Sequence, residues 1–87
     1  MLTGQIFDMT NYEYLKELET TDKLKPLIKS GIIPPTIYNY YSVYNIYIYE
    51  LRHAPTKMDA IEKVCDLMKT NQDLIYRAIN IMKIELV

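Results

Sequence analysis

Residues 58–81 read MDAIEKVCDLMKTNQDLIYRAINI, and their apolar spacing predicts two short helices joined by a tight turn at Lys69-Thr70-Asn71. In the first, Ile61, Val64, Cys65 and Met68 recur at steps of three, one and three, which puts all four on one side of a helix. Lys57, Asp59, Glu62, Lys63, Asp66 and Lys69 take the other side. Asn71 suits the N-cap of the second helix, because its side-chain oxygen can accept from a backbone N–H one turn on. Asp73 follows in the first turn, where negative charge suits the positive end of the helix dipole. Ile75, Ala78, Ile79 and Met82 form a second apolar stripe, with Asp73, Tyr76, Arg77 and Asn80 on the opposite arc.

The run DLMKTNQDLIYRAI, from Asp66 to Ile79, resembles the turn and second helix of bacterial and phage helix-turn-helix DNA-binding domains. Met68 stands at the family's buried apolar position, Asn71 at its capping Ser and Ile75 at its buried β-branched position. Tyr76-Arg77 match outright, and Cys65 falls at the small position where the two helices approach most closely. Two positions depart from the pattern. Lys69 replaces the usual Gly, where a left-handed backbone costs a side chain roughly 1 kcal/mol, and Thr70 replaces a buried Val or Ile.

What the resemblance implies is a reader of double-stranded DNA, of the small phage or mobile-element type, acting as a transcriptional regulator. The second helix would enter the major groove, whose base edges carry a distinguishable donor and acceptor pattern. Gln72 and Asn80 carry amides suited to adenine, and Arg77 suits guanine or phosphate. Tyr76 suits phosphate or a thymine methyl. Asn71 leaves backbone donors near the strand, while Lys57, Lys69 and Lys83 flank the face as candidate phosphate contacts.

Elsewhere the chain also reads as helical. Thr10 or Asn11 can cap a first helix carrying Tyr12, Tyr14, Leu15 and Leu18 and ending near Glu19-Thr20-Thr21. Asp22 is expected to cap a second, with Leu24, Leu27 and Ile28 inward and Lys23, Lys25 and Lys29 outward. Pro26 is harmless in its first turn, and Ser30-Gly31 ends it. Ile32-Ile33-Pro34-Pro35 should be extended, since a residue preceding proline is driven out of the helical region.

The segment TIYNYYSVYNIYIYELR, residues 36–52, holds six tyrosines in seventeen residues. Strand alternation appears only late, at Ile46 to Tyr49. Ile37, Tyr41, Tyr44, Ile48 and Leu51, widened by Tyr40 and Tyr47, instead fit a helical stripe over four turns, with Thr36 as its cap. The far side, with Tyr38, Ile46 and Tyr49 beside Asn39, Ser42 and Glu50, is not properly polar. Such a helix is either covered on both sides as a scaffold or paired with another copy of the chain, and a homodimer through Tyr38, Ile46 and Tyr49 is the expectation carried forward.

These readings give an all-α fold: one small domain over residues 1–87, of four to five helices. A C-terminal helix-turn-helix occupies 57–82 and a Tyr-rich scaffold helix 36–52. The tail from Lys83 to Val87 should continue the last helix or fray.

A composition 49% hydrophobic and 24% charged suits a folded domain. Residues 1–9 do not resemble a signal peptide and no apolar run reaches ~20 residues, so no membrane partner is expected and a cytoplasmic location is. One cysteine excludes an internal disulfide, and with one histidine, His53, no nitrogen–sulfur metal site is expected. His53 reads as a solvated linker residue. No acid–base–nucleophile set and no Gly-rich phosphate loop is visible, so neither a cofactor nor an enzyme is expected. Ten basic against eleven acidic residues give a net charge of −1, which counts against strong non-specific DNA binding. That balance leaves a second possibility, a protein-binding adaptor that keeps the helix-turn-helix fold without reading DNA.

Overall fold

The computed structural model describes residues 9–85. They form five helices: α1 (Asn11–Thr20), α2 (Leu24–Lys29), α3 (Pro35–His53), α4 (Lys57–Met68) and α5 (Gln72–Met82). The expected all-α fold is therefore the observed one. The only β pairing among the described residues is an isolated antiparallel bridge between Thr10 and Glu85.

α3 is the mast of the domain, and both α4 and α5 pack along it. Its inward arc buries Tyr41, Val43, Tyr44 and Tyr47. Ala60, Ile61 and Val64 of α4 and Ile75, Ala78, Ile79 and Met82 of α5 complete most of the core, with Leu15 and Leu24 beneath. All four apolar positions expected of α5 are buried. In α4 the stripe is rotated toward Ala60, leaving Cys65 and Met68 half-buried. Leu51, expected in the inward stripe of α3, is 40% exposed, and Arg52 and His53 after it in the last turn are exposed as well. Tyr14 is likewise exposed.

Tyrosine hydroxyls can enter this core because each finds a partner or the surface. The Tyr12 hydroxyl donates to Asn45 Oδ1 at 2.7 Å, and the Tyr12 ring meets Tyr44 edge-on with centroids 4.8 Å apart. The Tyr41 hydroxyl reaches the Glu19 carboxylate.

The helix ends explain where the chain turns. Thr10 caps α1 in a full capping box with Glu13. Thr56 caps α4 by accepting from Asp59 N. Asp22 does not cap α2: it adopts a left-handed φ of 61°, and Lys23 takes the N-cap with no side-chain bond. Gly31, with φ of 86°, reverses the chain after α2 as expected. Thr36 does not cap α3 either. Pro34 is the N-cap and Pro35 the first helical residue, a position where the missing N–H and preset φ both suit the helix. Of the four residues expected to be extended Pro34 is so, whereas Ile32 and Ile33 lie in a bend closed by Ile33 N donating to Leu27 O at 3.1 Å.

The end of the described chain neither continues α5 nor hangs free. Asn11 N donates to Ile84 O and Asn11 Nδ2 to Ile81 O, each at 2.8 Å, which straps the start of α1 to the end of α5. Leu86 and Val87, and the N-terminal stretch 1–8, lie outside the described residues.

Candidate nucleic-acid interface

The turn between α4 and α5 joins a left-handed C-cap to a side-chain N-cap. Lys69 holds the left-handed C-cap at φ 52°, ψ 51°, and the next residue, Thr70, donates its N–H back to Cys65 O at 3.1 Å. Asn71 then caps α5, its Oδ1 accepting from Leu74 N at 3.2 Å. The backbone thus turns sharply over three residues, so the register between the two apolar stripes is set locally.

Burial of Ile75, Ala78, Ile79 and Met82 rotates the opposite arc of α5 outward. Gln72, Tyr76, Arg77 and Asn80 are all exposed, as are Lys57, Lys69, Asn71 and Lys83. Gln72, Tyr76 and Asn80 follow one another at steps of four and line one ridge, with Asp73 and Arg77 beside it.

The eight candidate residues do not form one cluster. Gln72 Nε2 lies 4.0 Å from Met58 Sδ, which brings the first turn of α4 beside the first turn of α5. Lys69, Asn71 and Gln72 gather at the turn, whereas Lys57 stands at the opposite end of α4, about 18 Å from Lys69 along that helix, and is linked to them only through its neighbour Met58. Lys83 lies eleven residues from Gln72, about 16 Å along the helix axis, and belongs to the far end.

Tyr76 is 36% exposed and leans against α3. Burial pushes the Tyr47 phenol above its ordinary value, and the nearby Tyr76 adds to that rise. Met58, 44% exposed and touching Gln72, was not legible as part of this surface. Its sequence signal, an apolar residue one position outside the α4 stripe, does not distinguish it from a stray surface side chain.

Electrostatically the unit is mildly positive. Residues 57–83 hold five basic and four acidic side chains, +1 against −2 for the remainder of the chain. Asp73 lies on the same arc as Arg77, so the basic character of the ridge rests on Arg77 and on Lys69 in the turn before it.

Cys65 is half-buried; burial, then Asp66 and Glu62, push its thiol up, which makes the reactive thiolate scarce. Among the described residues no group of three His, Cys, Asp or Glu could hold a metal ion, and no helix is long and apolar enough to cross a membrane. His53, exposed at the last turn of α3, has its ring 4.7 Å from that of Tyr49 and tilted by 43°, and places Nδ1 2.9 Å from the Tyr49 carbonyl.

No family model, characterised protein or solved structure matches this chain.

Proposed function

We propose that this chain is a sequence-specific double-stranded DNA-binding protein, a transcriptional regulator of the helix-turn-helix kind, whose helix α5 enters the major groove. The observation that carries the proposal is the division of α5: four apolar residues fully committed to the core, and Gln72, Tyr76, Arg77 and Asn80 left at the surface. A helix that offers amides, a guanidinium and a phenol on one ridge has the donors and acceptors that base edges and phosphates accept. The N-terminal end of α5, with Lys69 in the turn before it, supplies the positive end of the helix dipole to a phosphate. Three or four reading side chains give modest affinity per half-site, so a homodimer spanning two half-sites about one helical turn apart is part of the proposal. Pairing through the outward face of α3, with Tyr38, Ile46 and Tyr49, would supply it.

A second reading is favoured by the charge balance. A net charge of −1 and Asp73 on the ridge suit a protein-binding adaptor of the same fold. Gel-shift titration on mixed-sequence duplex DNA across a salt series separates the two. A DNA reader binds at low salt, loses affinity steeply as salt rises, and loses about tenfold more on Arg77→Ala. No shift at low salt defeats the DNA reading.

A further inference from the structure

The outward arc of α3 is without charge: from Pro35 to Tyr49 the helix carries no Asp, Glu, Lys or Arg, and α1 meets it only along the flank where Tyr12 bonds Asn45. Tyr38 and Tyr49, 37% and 59% exposed, stand three turns apart on that face. Ser42, Asn45 and Ile46, each half-buried, lie between them. Apolar exposure of this kind on a small domain commonly marks a protein interface, and interfaces favour aromatic residues while excluding charge from their centres.

Charge lies at the ends of this face, and its placement selects the occupant. Tyr38, Tyr41, Asn45 and Arg52 share one edge of α3, being spaced by three, four and seven residues. At the Tyr38 end of that edge is a concavity of about 290 Å³ lined by Glu19, Asp22, Leu24, Lys25 and Tyr38. Two carboxylates against one ammonium leave it net negative. At the other end of the edge stands Arg52, exposed in the last turn of α3. The face therefore carries a cation at one end, a neutral aromatic stripe along its middle, and at the other end the Glu19–Asp22 hollow on one side of Tyr38, with Lys25 and Lys29 lining a second hollow beside it.

We propose that this face binds a second copy of the chain, with the two α3 helices antiparallel and Arg52 of each copy seated in the Glu19–Asp22 hollow of the other. A two-fold axis normal to two antiparallel helices sets the same edge of both on one side of the seam, with their ends reversed. Arg52 of one copy is thereby brought to the Tyr38 end of its partner, and Tyr49 of one copy lies over Tyr38 of the other. Opposed helix dipoles favour this sense of pairing. A parallel pair would place the Tyr38 ends together and leave both Glu19–Asp22 hollows without a cation from the other copy. The inference deepens the homodimer named under the proposed function and rests on that part of it alone, not on DNA binding.

The test uses the full chain without DNA. Sedimentation equilibrium should show a monomer–dimer equilibrium in the micromolar range. Arg52→Glu should raise its dissociation constant about tenfold or more, with an unchanged helical circular dichroism spectrum, and adding Asp22→Lys should recover most of the loss. Lysine is tolerated at that left-handed position, as Lys69 shows in the α4–α5 turn. In a Cys65→Ala background, mixing Tyr38→Cys and Tyr49→Cys chains under mild oxidation should give the 38–49 mixed disulfide in excess of 38–38 and 49–49. A strictly monomeric chain, an association indifferent to Arg52→Glu, or predominance of the 38–38 and 49–49 bridges would each overturn the proposal. A dimer of the expected kind that shifts no DNA supports it and defeats only the DNA reading.

Discussion

The Tyr41 hydroxyl donates a 2.6 Å hydrogen bond to Glu19 Oε1, tying the middle of α3 to the last turn of α1. Hydrogen bonds to charged acceptors are shorter and stronger than neutral ones, and Tyr41 is 1% exposed, so its hydroxyl has no alternative in water. Tyr41→Phe should lower stability by about 1–2 kcal/mol, reduced toward the lower figure because Glu19 is itself exposed to solvent. Glu19→Ala should cost more than a typical surface change, since it leaves the buried phenol unpartnered. A double-mutant cycle read by urea unfolding checks this: the pair should be clearly non-additive.

Alkaline pH should unfold the domain cooperatively. Burial raises the phenols of Tyr41, Tyr44 and Tyr47, and for Tyr41 the bond to Glu19 raises it further. In the unfolded chain these groups lose their protons near pH ~10, whereas the fold retains them. Stability is therefore fully present below pH ~10 and falls as pH rises beyond it, by up to about 1.4 kcal/mol per pH unit for each phenol so held. Thermal melts from pH 8 to 11 should be flat at first and then drop. Tyr41→Phe should soften the drop.

Lys69 offers a variant in which stability and binding part company. Its left-handed backbone carries a strain that glycine does not, so Lys69→Gly should stabilise the domain by about 0.5–1 kcal/mol. The same change removes a cation from the end of α5. Under the proposed function it should weaken DNA binding while raising the melting temperature, and a more stable variant that binds DNA equally well would remove Lys69 from the interface.

The two sides of α5 should respond oppositely to truncation. Ile75 is completely buried, and Ile75→Ala should cost about 2–5 kcal/mol through lost burial and the cavity left behind. Arg77→Ala and Asn80→Ala, both at exposed positions, should change stability by no more than about 0.5 kcal/mol. Chemical denaturation of the three variants measures the contrast. A large loss at Arg77 would mean that the side chain supports the fold itself.

Much of the architecture was legible in the sequence because α4 and α5 have clean 3.6-residue patterns and strong local signals. Asn71 and Thr56 cap as their side chains dictate, and the stripe Ile75, Ala78, Ile79, Met82 is buried throughout. What escaped was set by tertiary context. Val43 is fully buried though it falls off the stripe through Tyr41 and Tyr44; it shares a face with Tyr40 and Tyr47, so the buried arc of α3 reaches further round on that side than the expected stripe. Asp22 has a good capping side chain, but the sharp exit from α1 forces it to φ 61° and leaves the cap to Lys23. Asn11 reads locally as a helix start, and nothing nearby in sequence reveals its bond to Ile81, seventy positions away. The outward arc of α5 was legible as an arc. That Lys83 stands a helix length from Lys69 became plain only with the ends of α5 in place.

The strap from Asn11 to Ile81 and Ile84 has a topological corollary. With Thr10 and Glu85 side by side, the described chain is nearly a closed ring. A short bridging peptide between those residues should permit new termini at the exposed Pro55, between α3 and α4, with every helix kept whole. Such a circular permutant would keep the α4–α5 unit continuous while detaching it from the mast in chain order.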